Sequence, residues 1–121
     1  MRTSTPKPEA PVWYKIDANE QPIGHVAVRA AHMLRGKHKV SFSPHQVMSD
    51  HIVITNASGA ILKGTKAQKK MYYRHSGHLG GLKRIPFSRV FANDPSKVLY
   101  RAIDRKSTRL NSSHLVISYA V

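Results

Sequence analysis

The sequence predicts a small α/β domain in which helices cover a largely parallel sheet. Three segments carry this prediction: an aromatic and β-branched stretch at residues 13–18, an apolar helical period at residues 23–34, and a β-branched stretch at residues 51–56. A strand, a helix and a second strand in this order are typical of a parallel pair joined by a crossover. With 121 residues, of which 40% are hydrophobic, we expect one core and a single domain.

The first strand and the first helix are the best-defined elements of the pattern. The strand stops at a turn-forming cluster, residues 19–22, and the helix begins directly after it. Gly36 lies where a left-handed C-cap would end this helix. The apolar positions that recur at helical spacing are Ile23, Val26, Ala27, Ala30 and Leu34.

The second half of the chain alternates turns with short elements. Residues 57–59 predict a turn, residues 60–62 a further short strand, and residues 71–74 a strand, because paired tyrosines favour strands. The glycine-rich residues 77–81 must form a loop.

Two helices are predicted to close the fold. Pro86 suits the first turn of a short helix that runs to about Ala92, because its missing N–H would be unpaired there anyway. Asp94 is a good N-cap and Pro95 a good first residue for a last helix. The apolar face of that helix consists of Val98, Leu99, Ala102 and Ile103.

The charge of the chain is the most informative feature of its composition. It has 20 Lys and Arg against 6 Asp and Glu, a formal net charge of +14, and between Arg35 and Arg84 ten basic residues accompany one acid, Asp50. Such an excess repels itself in a compact domain and is typical of proteins that neutralise nucleic-acid phosphates. A membrane surface is a weaker alternative, because the cations lie in loop-like sequence and not on an amphipathic helix with aromatic anchors.

Other classes of protein are disfavoured by what the sequence lacks. There is no cysteine, so neither a disulfide framework nor a Cys-based zinc site is available, and a reducing, cytoplasmic location is the expectation. No apolar run approaches the roughly 20 residues of a membrane helix. Residues 1–12 contain three prolines and little apolar content, which predicts a flexible N-terminal arm.

Five segments, taken in order across residues 13–103, resemble the bacterial-type large ribosomal subunit protein thirteen family. They are WYKIDA, PIGHVAVRAAHMLRGKHK, HIVITNA, YYRHSGHLGGLK and DPSKVLYRAI. The resemblance implies a Rossmann-like three-layer α/β fold and a structural, non-enzymatic ribosomal protein without a cofactor. It also implies a cytoplasmic ribosomal location, with large-subunit ribosomal RNA and neighbouring large-subunit proteins as partners, and a part in early subunit assembly and in translation. Messenger RNA is a further partner that nothing in the sequence supports.

The last 18 residues depart from this family. The family would continue the last helix into a basic segment, whereas DRKSTRLNSSHLVISYAV resembles the translated read-through of a sequencing adapter. We therefore expect an N-terminal arm at residues 1–12, the domain at residues 13–103, C-terminally truncated, and a non-native tail at residues 104–121. A divergent native terminus is the alternative.

Two segments supply most of the candidate RNA contacts. Residues 35–39 place cations where a helix end passes into a loop, although an ordinary solvated turn would have the same composition. Residues 72–81 combine aromatic rings, donors and backbone without Cβ, the groups that RNA binding uses, although at least one of Tyr72 and Tyr73 should belong to the core. The candidate RNA-binding residues are Arg35, Lys37, His38, Lys39, Lys66, Lys69, Lys70, Arg74, His75, Gly77, His78, Gly80, Gly81 and Lys83.

Metal binding and catalysis are the competing interpretations of the same loop. His75 and His78 are close in sequence, but a zinc site usually needs four ligands in recognisable pairs, and no metal is predicted. Ser76 lies beside a histidine, but adjacency in sequence alone does not make a nucleophile and its base. GHLGG also does not match the glycine pattern of dinucleotide-binding sites. No catalytic residue is therefore assigned, and a small nucleic-acid-processing enzyme on a Rossmann-like fold is the alternative function.

Overall fold

The computed structural model describes residues 5–46, 50–108 and 117–119 of the chain. This part has a mixed α/β fold with small sheets and four helices, three of which the sequence predicts; the short helix at Lys66–Lys69 was expected only as a basic segment. The elements are β1 (Trp13–Asp17), α1 (Ile23–Leu34), β2 (His51–Thr55), α2 (Lys66–Lys69), β3 (Met71–His75), β4 (Leu82–Pro86), α3 (Phe87–Asn93), α4 (Pro95–Thr108) and β5 (Ile117–Tyr119), with a 3-10 turn at Ala57–Gly59.

The main sheet is parallel and has three strands in the order β1, β2, β5. Ile16 of β1 is in register with Ile54 of β2, and Ile52 of β2 is in register with Ile117 of β5. Helix α1 lies in the connection between β1 and β2, so the predicted strand, helix and strand form one crossover unit. Residues 60–62 contribute one isolated parallel bridge, between Pro22 and Ile61.

The core lies between one face of this sheet and the helices. Because strand side chains alternate between faces, Ile16, Ile52 and Ile54 point together into a core cluster that includes apolar residues of α1 and α4. Leu99 of α4 and Ile52 are each only 1% exposed. The alternate β1 side chains, Trp13 among them at 61% exposure, lie on the opposite face of the strand.

Strands β3 and β4 form a separate antiparallel hairpin, and β4 was not expected from the sequence. Its residues, LKRIP, have no apolar alternation, so only the pairing with β3 reveals it as a strand. Tyr72 packs against the core cluster whereas Tyr73 is 65% exposed, which confirms that at least one of the two tyrosines belongs to the core.

The predicted ends of two helices are confirmed. Gly36 has φ +69°, and its N–H donates to Met33 O while Lys37 N–H donates to His32 O, the pair of bonds that closes a Schellman motif. Lys97 N–H donates to Asp94 Oδ1 at 3.2 Å, so Asp94 caps α4.

The prediction for Pro86 needs a correction. Pro86 is extended, at φ −65° and ψ 148°, and it ends β4 opposite Met71 instead of occupying the first turn of α3. The reason is the hairpin: Phe87 N–H donates to Lys70 O, which keeps the chain beside β3 up to the first residue of α3.

The described elements lie on both sides of Ile103, the predicted end of the domain. Helix α4 runs past Ile103 to Thr108, and β5 lies within the segment predicted to be a non-native tail. Residues 5–12 contain neither helix nor strand and are exposed, while residues 1–4 of the predicted arm and residues 109–116, 120 and 121 of the predicted tail lie outside the described residues. No helix in the described ranges is long and apolar enough to cross a membrane.

Candidate nucleic-acid interface

The first basic site, residues 35–39, is called here the basic turn. The Schellman motif at the end of α1 fixes the backbone of this turn, so its side chains leave the helix in defined directions. Lys37 is exposed. The Arg35 guanidinium carbon lies 6.0 Å from the centroid of the Phe42 ring, which anchors the side chain at the side of the turn.

Lys39 is placed differently from the other cations of the basic turn. Its Nζ donates to Asp50 Oδ1 at 2.6 Å, and the side chains of the pair are 5% and 0% exposed. The ammonium of this predicted RNA-binding residue is therefore directed to an internal carboxylate. The two residues lie eleven positions apart, and no sequence pattern announces their contact.

The Asp50 carboxylate also contacts Val12 and lies near His38 of the basic turn. Its Oδ1 accepts a hydrogen bond from Val12 N–H at 3.1 Å, and its Oδ2 lies 3.8 Å from His38 Nε2. His38 Nε2 in turn lies 2.9 Å from the Tyr14 hydroxyl. The single acid between Arg35 and Arg84 thus holds the basic turn against the beginning of β1.

The second basic site is α2 with the residue that follows it. Lys66 and Lys69 are exposed, whereas Lys70 is half-buried, with its Nζ 5.3 Å from the centroid of the Tyr72 ring. Burial lowers the pKa of Lys70 below its ordinary value of 10.5, and repulsion from Arg105 and Lys66 lowers it further. Arg105 on α4 is therefore close enough to act on Lys70.

Arg101 of α4 is a basic residue that the sequence did not single out at this site. Its guanidinium carbon lies 4.9 Å from the Tyr72 centroid. Burial raises the pKa of the Tyr72 hydroxyl, and the charges of Arg101 and Arg105 partly oppose that rise. Arg101 and Tyr72 are far apart in the sequence, so no local pattern predicts their approach.

The third basic site is the β3–β4 hairpin and its connecting segment, residues 76–81, called here the hairpin loop. Gly77 and Gly80 have φ +87° and +73°, which L side chains rarely adopt. A Cβ at Gly81 would collide with Ser76 Oγ and lie 2.9 Å from His78 O. These glycines are thus required by the turn itself, whatever they also contact.

The hydrogen bonding of His75 defines which ring nitrogen it presents. Gly77 N–H donates to His75 Nδ1 at 2.9 Å, so this nitrogen is the acceptor and the proton of the neutral ring is on Nε2. His75 and His78 are both exposed. The neutral His75 ring therefore offers an N–H donor to solvent or to a ligand.

Two cations face each other across the hairpin. Arg74 of β3 is directly opposite Lys83 of β4, and both side chains are exposed. Like charges in directly opposed positions destabilise a strand pair. An anion placed between them would remove that cost, which favours a polyanionic partner for this surface.

The predicted contact residues therefore occupy three places: the basic turn, α2 with Lys70, and the hairpin. The structure joins Lys66, Lys69 and Lys70 on one short helix and its end, and Arg74, His75, His78 and Lys83 on one hairpin. It separates Lys39 from the others by burying it. Within the described ranges no group of three or more His, Asp or Glu side chains is placed to hold a metal ion.

Comparison with known proteins gives one consistent result. Residues 11–113 match the family described as Ribosomal protein L13. The chain is 54% identical over 96 residues to the large ribosomal subunit protein uL13 of Treponema denticola, an alignment that covers 78% of this chain and 68% of the relative. It is 50% identical over 91 residues to uL13 of Treponema pallidum strain Nichols, covering 75% of this chain and 64% of the relative.

A more distant relative gives a longer alignment. The chain is 45% identical over 105 residues to uL13 of Psychrobacter cryohalolentis, covering 85% of this chain and 74% of that protein. Across these three relatives the alignments span between 64% and 74% of the relative's own length.

Proposed function

The chain belongs to the ribosomal protein L13 family, and from this premise we propose that it is a structural constituent of the large ribosomal subunit. In this role it binds large-subunit ribosomal RNA, packs beside neighbouring ribosomal proteins in the cytoplasmic ribosome, and supports early subunit assembly and translation. The match over residues 11–113 carries the proposal. It also favours a structural protein over the nucleic-acid-processing enzyme considered above.

The physical basis of this binding is charge first and shape second. Lys and Arg neutralise phosphates and release condensed counterions, which gives an affinity that falls as salt rises. The backbone of the hairpin loop and the His75 donor then select RNA whose backbone and 2′-hydroxyls fit this loop. We expect RNA shape, more than base sequence, to determine specificity.

The residues proposed to contact RNA are those of the three basic sites. They are Arg35, Lys37, His38, Lys66, Lys69, Lys70, Arg74, His75, Gly77, His78, Gly80, Gly81 and Lys83. For Lys39 we propose an indirect part, because its buried ion pair with Asp50 holds the basic turn in position. Exposure of Lys37, and the opposed pair Arg74 and Lys83, support this assignment.

Binding to transcribed large-subunit ribosomal RNA tests the proposal. We expect the logarithm of the association constant to fall linearly with the logarithm of the salt concentration. Lys37→Glu should weaken binding, whereas Lys15→Glu, which makes the same change of charge on the exposed face of β1, should weaken it much less. An affinity that does not change with salt, or ribosomes from the source cell without this chain, would contradict the proposal.

For the fold we propose a Rossmann-like three-layer arrangement. The parallel crossover from β1 through α1 to β2 supports it, because such crossovers place a helix against a sheet face. A structure of the chain bound in the ribosome tests it. Helical density against Trp13 is expected, and an open or RNA-covered face there would contradict a third protein layer.

For the domain organisation we propose an arm at residues 1–12, an evolved domain at residues 13–103 and an added tail at residues 104–121. The resemblance of the last 18 residues to adapter read-through supports this division. Sequencing the gene past the codon for Ile103, with adapters removed, tests it. A basic extension typical of the family is expected, and recovery of the same 18 codons would contradict the proposal.

A further inference from the structure

A cleft of about 590 Å³ opens beside the first turn of α1. Its walls come from four parts of the chain: the start of α1, the segment around Leu62, α2 with Lys70, and the α4 positions Ala102 and Arg105. These parts are distant in sequence, so only the fold assembles the cleft. Its volume is comparable to that of ordinary small-ligand sites.

The charge of the cleft is of one sign. Five cations line it: Lys63, Lys66, Lys69, Lys70 and Arg105. No carboxylate is among the described residues that form its walls, and the first turn of α1 also has no acidic residue. Five like charges around one concavity repel each other, and low-dielectric walls focus their field on whatever enters.

The other lining groups restrict what kind of anion fits. The described walls have one aromatic ring, the exposed imidazole of His25, and no Phe, Tyr or Trp side chain on which a base could stack more extensively. They are formed instead by lysine ammonium groups, which bind phosphate as mobile point charges, and by small or aliphatic residues such as Gly24 and Ala102. This chemistry suits a sugar-phosphate backbone better than a nucleobase.

We propose that this cleft is a docking site for the phosphodiester backbone of RNA, which it binds without reading the bases. The proposal rests on the proposed function above and adds Lys63 and the Gly24 wall to the contacts predicted from sequence. The four lysines carry it, and Arg105 adds a fifth charge from within the segment proposed as a tail.

The lowered pKa of Lys70 is consistent with a cluster of cations that attracts an anion. Its pKa is lowered by burial and by repulsion from Arg105 and Lys66, so its neighbours disfavour its charged form in the free protein. A phosphate in the cleft would supply the missing opposite charge. Binding of RNA should therefore raise the pKa of Lys70.

Gly24 permits a test that separates binding from folding. A Cβ built at this position meets nothing within 4 Å, so the fold has room for a side chain that would enter the cleft. Gly is a poor helix former, and an acidic residue is favourable near a helix N-terminus, so Gly24→Glu should keep or raise the melting temperature. Gly24→Gln is its matched control, equal in size and without the charge.

The experiment measures binding of the full chain to transcribed large-subunit ribosomal RNA and to poly(A), poly(U) and poly(C). We expect Gly24→Glu to bind each RNA about tenfold more weakly than Gly24→Gln does, because a carboxylate now occupies a site of strong positive field. The double variant Lys63→Ser with Lys66→Ser should lower the slope of log affinity against log salt by about 1 to 2 units. Lys15→Ser, on the opposite face of the sheet, should leave that slope unchanged.

Different failures have different meanings. If the cleft variants bind as the wild type does while Lys37→Glu weakens binding, the cleft assignment is wrong and the proposed function stands. If the wild type itself binds no large-subunit RNA, both fail together. Inorganic phosphate is the competing ligand of the same chemistry, and its saturation of the wild-type cleft at micromolar concentration would contradict a site built for a phosphodiester chain.

Discussion

The Lys39 ammonium donates to Asp50 Oδ1 at 2.6 Å, and both side chains are almost completely removed from solvent. The chain has 20 Lys and Arg, and the one acid between Arg35 and Arg84 is buried in an ion pair and does not lie on the surface. Asp50 also accepts the Val12 N–H, so it ties the basic turn to the start of β1. This arrangement leaves the exposed cations of the turn uncompensated.

The first prediction concerns the stability that this ion pair confers. Asp50→Ala leaves the Lys39 ammonium buried without its partner, which should lower the free energy of unfolding by about 3–5 kcal/mol. Lys39→Met combined with Asp50→Leu removes both charges and should recover most of that loss, because an apolar pair needs no desolvation of ions. Urea unfolding of Lys39→Met, Asp50→Leu and the double variant measures the coupling.

Additive effects of the two substitutions would show that the pair is not coupled. Asp94→Ala is the control, because it removes an exposed carboxylate that is not paired with Lys39. Its removal should not be rescued by Lys39→Met, since Asp94 caps α4 and has no contact with the basic turn in the described structure.

The second prediction concerns that cap. Asp94→Ala removes the acceptor for Lys97 N–H and should cost about 1 kcal/mol of unfolding free energy. Asp94→Asn keeps an oxygen at the same place and should cost much less. Thermal unfolding of the two variants compares them directly, and an equal loss in both would exclude the hydrogen bond as the cause.

Local signals like this one are the part of the fold that the sequence predicts well. The cap at Asp94, the left-handed Gly36 and the limits of α1 depend on neighbours within a few residues. Strand β4 and the Lys39–Asp50 pair depend on what the rest of the fold brings beside them. LKRIP forms a strand because it pairs with β3 through backbone hydrogen bonds. The residues of LKRIP have no alternation of apolar and polar side chains that would predict this.

The candidate site also combines features that the sequence predicts with features that only packing creates. Composition and glycine content identify the basic turn, α2 and the hairpin loop, because cations and unhindered backbone are properties of the residues themselves. The buried position of Lys39, the approach of Arg101 to Tyr72 and that of Arg105 to Lys70 are properties of packing. The sequence therefore predicts the type of ligand better than it predicts the shape of the surface that binds it.

The third prediction is an acid-dependent loss of stability at Asp17. The Asn19 N–H, at 2.9 Å, and then the Asn56 amide, at 3.0 Å, hold the pKa of this carboxyl below its ordinary value of 3.8. The folded state thus binds its proton less readily than the unfolded state does. The stabilisation is present above pH 3.8 and is lost as the pH falls through the lowered pKa.

Asp17→Asn should abolish this part of the acid-side slope in a series of denaturant titrations between pH 2 and 5. Asn56→Ala removes only the second hydrogen bond and should move the pKa of Asp17 part of the way back. A carboxyl-carbon NMR titration reads that pKa directly, and an ordinary value in the wild type would contradict the hydrogen bonding described here.

The fourth prediction concerns Lys70. Burial and two neighbouring cations lower its pKa below 10.5, so the unfolded state holds this proton more tightly and stability should rise with pH in the range just below 10.5. Arg105→Ser removes one repelling charge and should raise the pKa of Lys70 without restoring it fully, because burial is the larger cause. NMR titration of the lysine ε-carbons measures the shift.

The last prediction tests whether the hairpin loop needs glycine for its backbone. Gly80 has φ +73°, and beside it Gly81 N–H donates to His78 O while Ser76 N–H donates to Gly81 O. Gly80→Ala should destabilise this loop by about 1–2 kcal/mol, because a Cβ disfavours the left-handed conformation. Gly80→Asn should cost less, since Asn tolerates that conformation. Hydrogen exchange at Ser76 and Gly81 reports the local loss, and equal protection in all three proteins would show that the turn does not depend on glycine.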